Sequence, residues 1–373
     1  MTDVTDEVAE PAQGPERERE EAVFDRIEAF RRRKPRLLDE VVTSAHGAGG
    51  KASAALLDQV FLPAFAHSTS GLQTDAAVLT LPTGERLAFS TDSFVVKPLH
   101  FPGGSIGDLA VNGTVNDLAM MGARPLALSA AFVIEEGFAI ESLREVVADM
   151  AAAALRAGVS IVTGDTKVVN RGAADGVYIN TAGVGLIPPG RDLTATRVQA
   201  GDAVIVSGSI GDHGTAVMLA RGDLALDAYV ESDTAALSGL VEVLLAAAPG
   251  TRWLRDATRG GLGTVCNELA RDCNLTVRLD EVAMPIKAVV GGACDMLGID
   301  PLYVANEGKF VAIVPAAEAA AAVAALRADP LGADAAVVGE MVADPPGLVV
   351  QVTPFGGTRI VDMLVGDPLP RIC

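Results

Sequence analysis

The last residue of the chain is a cysteine, and the residues before it give that thiol reach. Cys373 ends the run PFGGTRIVDMLVGDPLPRIC, in which Pro368 and Pro370 fix φ and favour an extended arm while the glycines before them act as hinges. Reach plus a nucleophile is the working end of a carrier. Arg371 favours the thiolate, and the adjacent α-carboxylate opposes it. A prenylation box sets its cysteine four residues from the end, so Cys373 does not belong to one. Taken by itself, a chance cysteine in a frayed tail explains the residue equally well.

Four aspartates stand beside Thr, Ser, Asn or Gly at the edges of apolar runs: Asp75 in QTDAAV, Asp92 in FSTDSF, Asp117 in TVNDLA and Asp165 in TGDTKV. Hard cations take several carboxylate oxygens from different elements, so this set suits a Mg²⁺–nucleotide site. Aspartate also favours turns and helix N-caps, and that reading stays open for each one. Two segments offer glycine-flanked amides and an ammonium for phosphate oxygens: HGAGGK, with Gly49, Gly50 and Lys51, and GDTK, with Thr166 and Lys167. A GxxxxGK[ST] run is lacking, which argues against a P-loop fold. GSIGDHG (208–214), which carries His213, is either a phosphate loop or a tight turn, and Asp256 and Arg259 flank the glycine pair of ATRGGLG. In ANEGKF, Glu307 follows Asn306; it is a general base if it reaches a bound substrate and an exposed turn residue otherwise.

Elements must hold these residues in place. HGAGGK precedes a helical pattern, ASAALLDQVFLPAF. Four strands are expected at TDAAVLTLP, RLAFSTDSFVV, PLALSAAFVIEE and GVYINTAGVGLIP, interleaved with helices at IGDLAVNGTVNDLAMMG and ESLREVVADMAAAALRAG, the second stopping at Gly158. These make an α/β domain at 41–198. IPPGRDLTATRVQAGD reads as a linker. Beyond it lies an α+β domain at 199–355, with strand DAVIVSG, helix HGTAVMLARG and Ala-rich helices at 235–247 and 316–328. Residues 356–373 form a mobile tail. Residues 1–40, with 12 acidic and 8 basic side chains, read as a flexible arm with helical character near 20–34.

Composition sets the outer bounds. At 373 residues, half of them hydrophobic and 39 of them glycine, the chain fits a two-domain α/β protein. A net charge of −19 argues against a nucleic-acid partner, because phosphates demand a positive face. Apolar runs fall short of a membrane span and the acidic N-terminus carries no secretory pattern, so the expected compartment is the cytoplasm. Four cysteines and four histidines show no metal spacing; Cys266 and Cys273, in a helical TVCNELARDC, read as buried, inert thiols.

In order along the chain, HGAGGK, FSTDSFVV, FPGGSIGDLAVNGTVNDLAMMGA, IVTGDTKVV, GAADGVYINTAGVG, VSGSIGDHG, RDATRGGLG, NEGKFV and the terminal PLPRIC resemble the HypE family of nickel–iron hydrogenase maturation factors. The resemblance runs from about His46 to Cys373, and PRIC is highly specific to it. It implies the fold of aminoimidazole ribonucleotide synthetase and selenophosphate synthetase, with an N-terminal domain that dimerises through its sheet and binds ATP near the interface. It also implies a carbamoyl dehydratase. A HypF-like carbamoyltransferase loads Cys373, ATP activates the carbamoyl oxygen, phosphate leaves, and the resulting thiocyanate passes as a cyanide ligand to a HypC–HypD-like iron scaffold. By the same resemblance Gly49, Gly50, Lys51, Asp92, Asn116, Asp117, Asp165 and Thr166 hold the nucleotide. Asp75, Asp92, Asp117 and Asp165 hold Mg²⁺, while Lys167 and Glu307 sit at the chemical centre with Asn306 nearby, either of the first two serving as base. The family loop commonly reads HGSGG, so Ala48 removes one hydroxyl donor here. Selenophosphate synthetases place a reactive Cys or Sec near that loop, whereas this chain has no cysteine before position 266. A non-catalytic scaffold that only presents Cys373 would need neither the four aspartates nor GDTK.

Overall fold

A computed structural model describes residues 36–37, 39–66, 74–222, 228–364, 366 and 372. Most of the acidic arm therefore lies outside the described residues, as do Pro368, Pro370, Arg371 and Cys373.

The first unit opens with a short 3₁₀ turn at Ser44–Gly47 and helix α1 (Lys51–Leu56), which runs on through a wider turn to Ala64. Its sheet contains β1 (Ala77–Thr80) and β2 (Arg86–Phe94); a small hairpin of β3 (His100–Phe101) and β4 (Gly104–Ser105) follows and leads into α2 (Ile106–Met120). Then come β5 (Arg124–Glu135), α3 (Ile140–Ala157), β6 (Ser160–Val169) and β7 (Val177–Ile187). The five-stranded order is β1-β2-β7-β5-β6, antiparallel throughout except for the parallel β5–β6 pair. β7 alternates buried and half-buried residues along its whole length, which makes VYINTAGVGLI legible as a strand with one core face. β6 was not expected. It is an edge strand, exposed along nearly its whole length, and its GDTK centre reads in sequence as a loop. α3 ends at Gly158 in the left-handed conformation, as its sequence predicts.

α2 is buried almost all round, as expected of a helix flanked by packing partners on every side. One side lies on β2 and β7 and another meets α3. The Ala119–Met120 end joins the core of the second unit. Its polar residues are each paired: Ser105 caps its first turn, Thr114 meets Thr181 at 2.6 Å, and Asn112 reaches Thr234 at 3.1 Å.

The second unit contains β8 (Ala203–Val206), α4 (Asp212–Arg221), α5 (Ser238–Ala247), β9 (Trp253–Asp256), α6 (Gly261–Cys273), β10 (Thr276–Asp280) and α7 (Ala288–Leu297). β11 (Phe310–Val314), α8 (Ala316–Arg327), β12 (Ala336–Val342), β13 (Val349–Val352) and β14 (Thr358–Ile360) complete it. The seven strands run β14-β13-β10-β12-β8-β11-β9. β8 and β11 are buried on both faces, so they read as unbroken apolar runs: α5 and α8 cover one side and α6 the other. Residues 358–360, expected within a mobile tail, instead pair antiparallel with β13. Among the described residues no helix is long and apolar enough to cross a membrane.

Candidate active site

Three carboxylates from three elements meet where the two units join. Asp75 lies just before β1, Asp117 in the last turn of α2 and Asp256 at the end of β9, and their oxygens fall within 4.8 Å of one another. Arg255 holds Asp75 at 2.6 Å and turns to Glu268 at 3.1 Å, while Ser90 donates its hydroxyl to Asp117. Asp75 Oδ2 is buried without a hydrogen-bond partner. A hard donor set with an orphaned buried carboxylate oxygen fits a divalent cation of the Mg²⁺ type.

Burial sets the electrostatics. Desolvation pushes Asp75 up to about 6 against the pull of Arg255, with Glu268 adding to the rise. Asp117 and Asp256 are raised well above the ordinary carboxylate range, first by burial and then by the acids beside them. Half-buried Asp92, on β2, accepts from the Ser93 amide at 2.7 Å and stands 3.9 Å from Arg259; burial raises it while Arg259 opposes the rise.

Glu307 lies three residues before β11 and is buried, its Oε1 without a hydrogen-bond partner. Pairing of Phe310 with Asp256, continued by the Asn306 amide on the Ala257 carbonyl at 3.1 Å, brings it beside the aspartates. Burial, then Asp256, Asp92 and Asp233, raise its pKa well above normal, with Arg259 opposing. A buried carboxyl raised in this way favours its protonated form and can exchange a proton with a group bound beside it. Its own amide donates to Asp233 Oδ1 at 3.0 Å, and a Cβ on Gly308 would meet the Asp233 carbonyl at 1.7 Å, so glycine permits this close approach.

The two asparagines expected here are braces. Asn116 gives its two N–H groups to the carbonyls of Ala235 and Glu307, at 3.0 and 3.3 Å, and accepts from the Leu237 amide at 2.8 Å. Asn306 accepts from Gly211 N at 2.7 Å and donates to the carbonyls of Ala257 and Val304. Fully buried, with their amides spent on main chain, they fix the Glu307 segment.

The glycine loop sits alongside. Arg259 donates to the Gly47 carbonyl at 3.1 Å, which links the loop to Asp92. Lys51 bonds Asp362 at 2.8 Å through its ammonium and the Leu364 carbonyl at 2.8 Å through its amide. A Cβ on Gly50 would come within 2.3 Å of that carbonyl, so only glycine lets the start of the tail lie this close. Asp165, Thr166 and Lys167 are elsewhere, exposed on edge strand β6, with Lys167 bonded to Asp165 at 2.7 Å. Three strand spacings separate β6 from β2, or about 14 Å.

Residues 73–187 match the description "AIR synthase related protein, N-terminal domain" and residues 199–351 its C-terminal counterpart. The carbamoyl dehydratase HypE of Rhodobacter capsulatus is 57% identical over 341 residues, which cover 90% of this chain and 99% of the relative. The chain belongs to the HypE family. A solved HypE–HypF complex shares 45% identity at a TM-score of 0.79, covering 83% of this chain and 100% of that one. A HypE structure in complex with ATP shares 44% identity at a TM-score of 0.74, covering 89% and 100%. Both units of the HypE fold are therefore represented, with the carboxylate cluster at their junction. Asp256 and Arg255 belong to that cluster, whereas sequence reasoning used Asp256 only as a flank of the glycine pair. The signal in sequence is weak: in TRWLRD the acid follows only two apolar residues, Trp253 and Leu254, with Arg255 between.

Proposed function

We propose that this carbamoyl dehydratase of hydrogenase maturation carries its substrate on Cys373 and dehydrates it at the carboxylate cluster, with ATP as the phosphoryl donor. The observation that carries the reading is the burial of Ile372, the residue before Cys373, in the same apolar cluster as Ala305, two residues from Glu307. A tail seated there delivers a terminal thioester towards a buried base. The ATP bound by a HypE relative supports the choice of donor.

The carbamoyl oxygen of the S-carbamoyl group takes the γ-phosphoryl of ATP as the bond to ADP breaks. Loss of both nitrogen protons and departure of phosphate, with its oxygen taken from the carbamoyl carbon, leave S–C≡N. Glu307 takes a nitrogen proton, and burial favours the protonated carboxyl that results. Lys167 is the other candidate for this role. Asp75, Asp117 and Asp256, with Asp92 beside them, hold Mg²⁺, which when bound neutralises phosphate charge. Gly49, Gly50 and Lys51 line the phosphate side, with Arg259 between them and Asp92. Burial of the site keeps water from the thioester.

Asp165, Thr166 and Lys167 enter through a second copy. Leu126, Val162 and Val168 expose apolar surface on β5 and β6. A homodimer formed through this sheet covers it and carries β6 of one protomer to its partner's nucleotide site. A HypF-like carbamoyltransferase loads Cys373, as the solved HypE–HypF complex supports, and a HypC–HypD-like iron scaffold takes the cyanide. We place the enzyme in the cytoplasm.

Glu307→Gln tests the base. The variant should bind ATP and accept the carbamoyl group yet convert it at least about 100-fold more slowly, so that carbamoylated Cys373 accumulates. Conversion at the wild-type rate would move the role to Lys167.

A further inference from the structure

His213, the second residue of α4, is fully buried and makes one hydrogen bond through each ring nitrogen. Nε2 lies 2.7 Å from the Ile372 carbonyl oxygen, and Nδ1 lies 2.8 Å from Ser232 Oγ. A carbonyl only accepts, so Nε2 carries the hydrogen. Nδ1 then accepts from the Ser232 hydroxyl, whose oxygen takes the Thr234 amide at 3.2 Å. Burial lowers the imidazole pKa and keeps the ring in this neutral form. Phe101 sets its ring edgewise to it, with centroids 5.5 Å apart.

A buried histidine is most simply a satisfied core residue, and a core residue needs only a fixed main-chain partner. His213 instead donates to the penultimate residue of the chain. Ile372 is only 3% exposed and shares its apolar cluster with Phe101, Val217 and Ala305. The contact therefore exists only while the tail is seated; when the tail leaves, the Nε2 hydrogen loses its acceptor and the isoleucine its pocket.

The same residues reach the base. The Ser232 amide donates to Pro102 O at 2.8 Å, and its neighbour Asp233 accepts the Glu307 amide at 3.0 Å. On the other side of the ring, the Gly214 amide donates to Ala305 O at 3.1 Å. One short loop and one helix turn thus hold both the seat of the tail and the backbone of Glu307.

We propose that His213 is a positioning residue for the C-terminal tail: its Nε2 hydrogen bond to the Ile372 carbonyl, fixed by Ser232, holds Cys373 in register with Glu307 during dehydration. This rests on the reading that Cys373 carries the substrate. The test uses the full-length protein, loaded by the transferase, in single turnover with ATP and Mg²⁺. The readout is the loss of about 18 Da from the C-terminal peptide, which is formula arithmetic for removal of water from a thiol-bound carbamoyl group. His213→Leu should slow that loss about 10–100-fold while loading and ATP affinity stay within about twofold, as expected when only the geometry of approach is lost. His213→Gln, which keeps an N–H at the far end of the side chain, should recover most of the rate. Ser232→Ala should give an intermediate loss, and it serves if the leucine variant does not fold. Equal rates for His213→Leu and wild type overturn the proposal. So does an equal loss in the Leu and Gln variants together with lost ATP affinity, since that pattern belongs to a merely structural histidine. Hydrogen exchange of the C-terminal peptide separates this proposal from the parent reading. Faster exchange in His213→Leu upholds the latch even if wild type never shows dehydration, whereas unchanged exchange overturns it.

Discussion

Asp75, Asp117 and Asp256 bring three carboxylates to one point, and burial drives all three towards the protonated form. The sign of the consequence follows from linkage. A carboxyl whose pKa rises on folding favours the fold below its unfolded value, and that contribution is lost as pH rises through the folded one. For Asp75 the window runs from 3.8 to about 6, and Asp117 and Asp256 extend it upward. Through Asp75 the metal-free protein should lose thermal stability between about pH 4 and pH 6, and Asp117 and Asp256 should carry the loss further upward. A cation that binds the ionised cluster restores it, so the Mg²⁺-induced rise in Tm should be larger at the higher pH and mostly lost in Asp256→Asn. Equal Mg²⁺ effects at both pH values, measured by calorimetry, would count against a cation at this cluster. Residue chemistry was partly legible in the sequence: Asp75, Asp117 and Glu307 stand at the edges of apolar runs, where a turn or cap role would leave the same pattern. Asp256 was hidden because its glycine-rich neighbourhood offered a sufficient explanation. Asn116 and Asn306 show the converse, since a buried amide that braces main chain has the same sequence signature as one that meets a ligand.

β6 is the element whose surroundings explain least within one chain. Among the described residues it pairs only with β5, and Val162 and Val168 are 66% and 69% exposed. An edge with free main-chain groups and apolar side chains invites association unless something covers it. If the proposed dimer forms through this sheet, Val162→Glu should shift it to monomer in sedimentation, with the fold retained, because the substitution touches no core. ATP turnover should fall with it if Asp165 and Lys167 serve the partner's site. A fully dimeric Val162→Glu protein would refute the sheet-mediated interface. Helices and core strands were readable because burial imprints a period on them, as in β7, or a solid apolar run, as in β11. β6 carries neither imprint, for in the single chain it has no core face. β14 was missed for a related reason: a three-residue edge strand leaves too short a pattern between glycines and prolines.

At the scale of the whole molecule, the two units are joined by α2, by the 232–235 loop and by the chain end itself. Lys51 holds the tail's beginning through Asp362 and Leu364, and His213 holds Ile372 near its end. The tail is thus moored at two points, one on the glycine loop and one beside the segment that carries Glu307. The terminal thiol is legible in the sequence; the moorings are not, because both are contacts between residues more than 150 positions apart. The central claim is that Cys373 carries the group being transformed. Its most direct test is the mass of the C-terminal peptide after incubation of the full-length protein with carbamoyl phosphate, ATP, Mg²⁺ and the carbamoyltransferase. The account predicts a gain of about 43 Da on Cys373 that becomes about 25 Da as dehydration proceeds, carbamoyl followed by cyano on a thiol. An unmodified Cys373 in the presence of a demonstrably active transferase would contradict it.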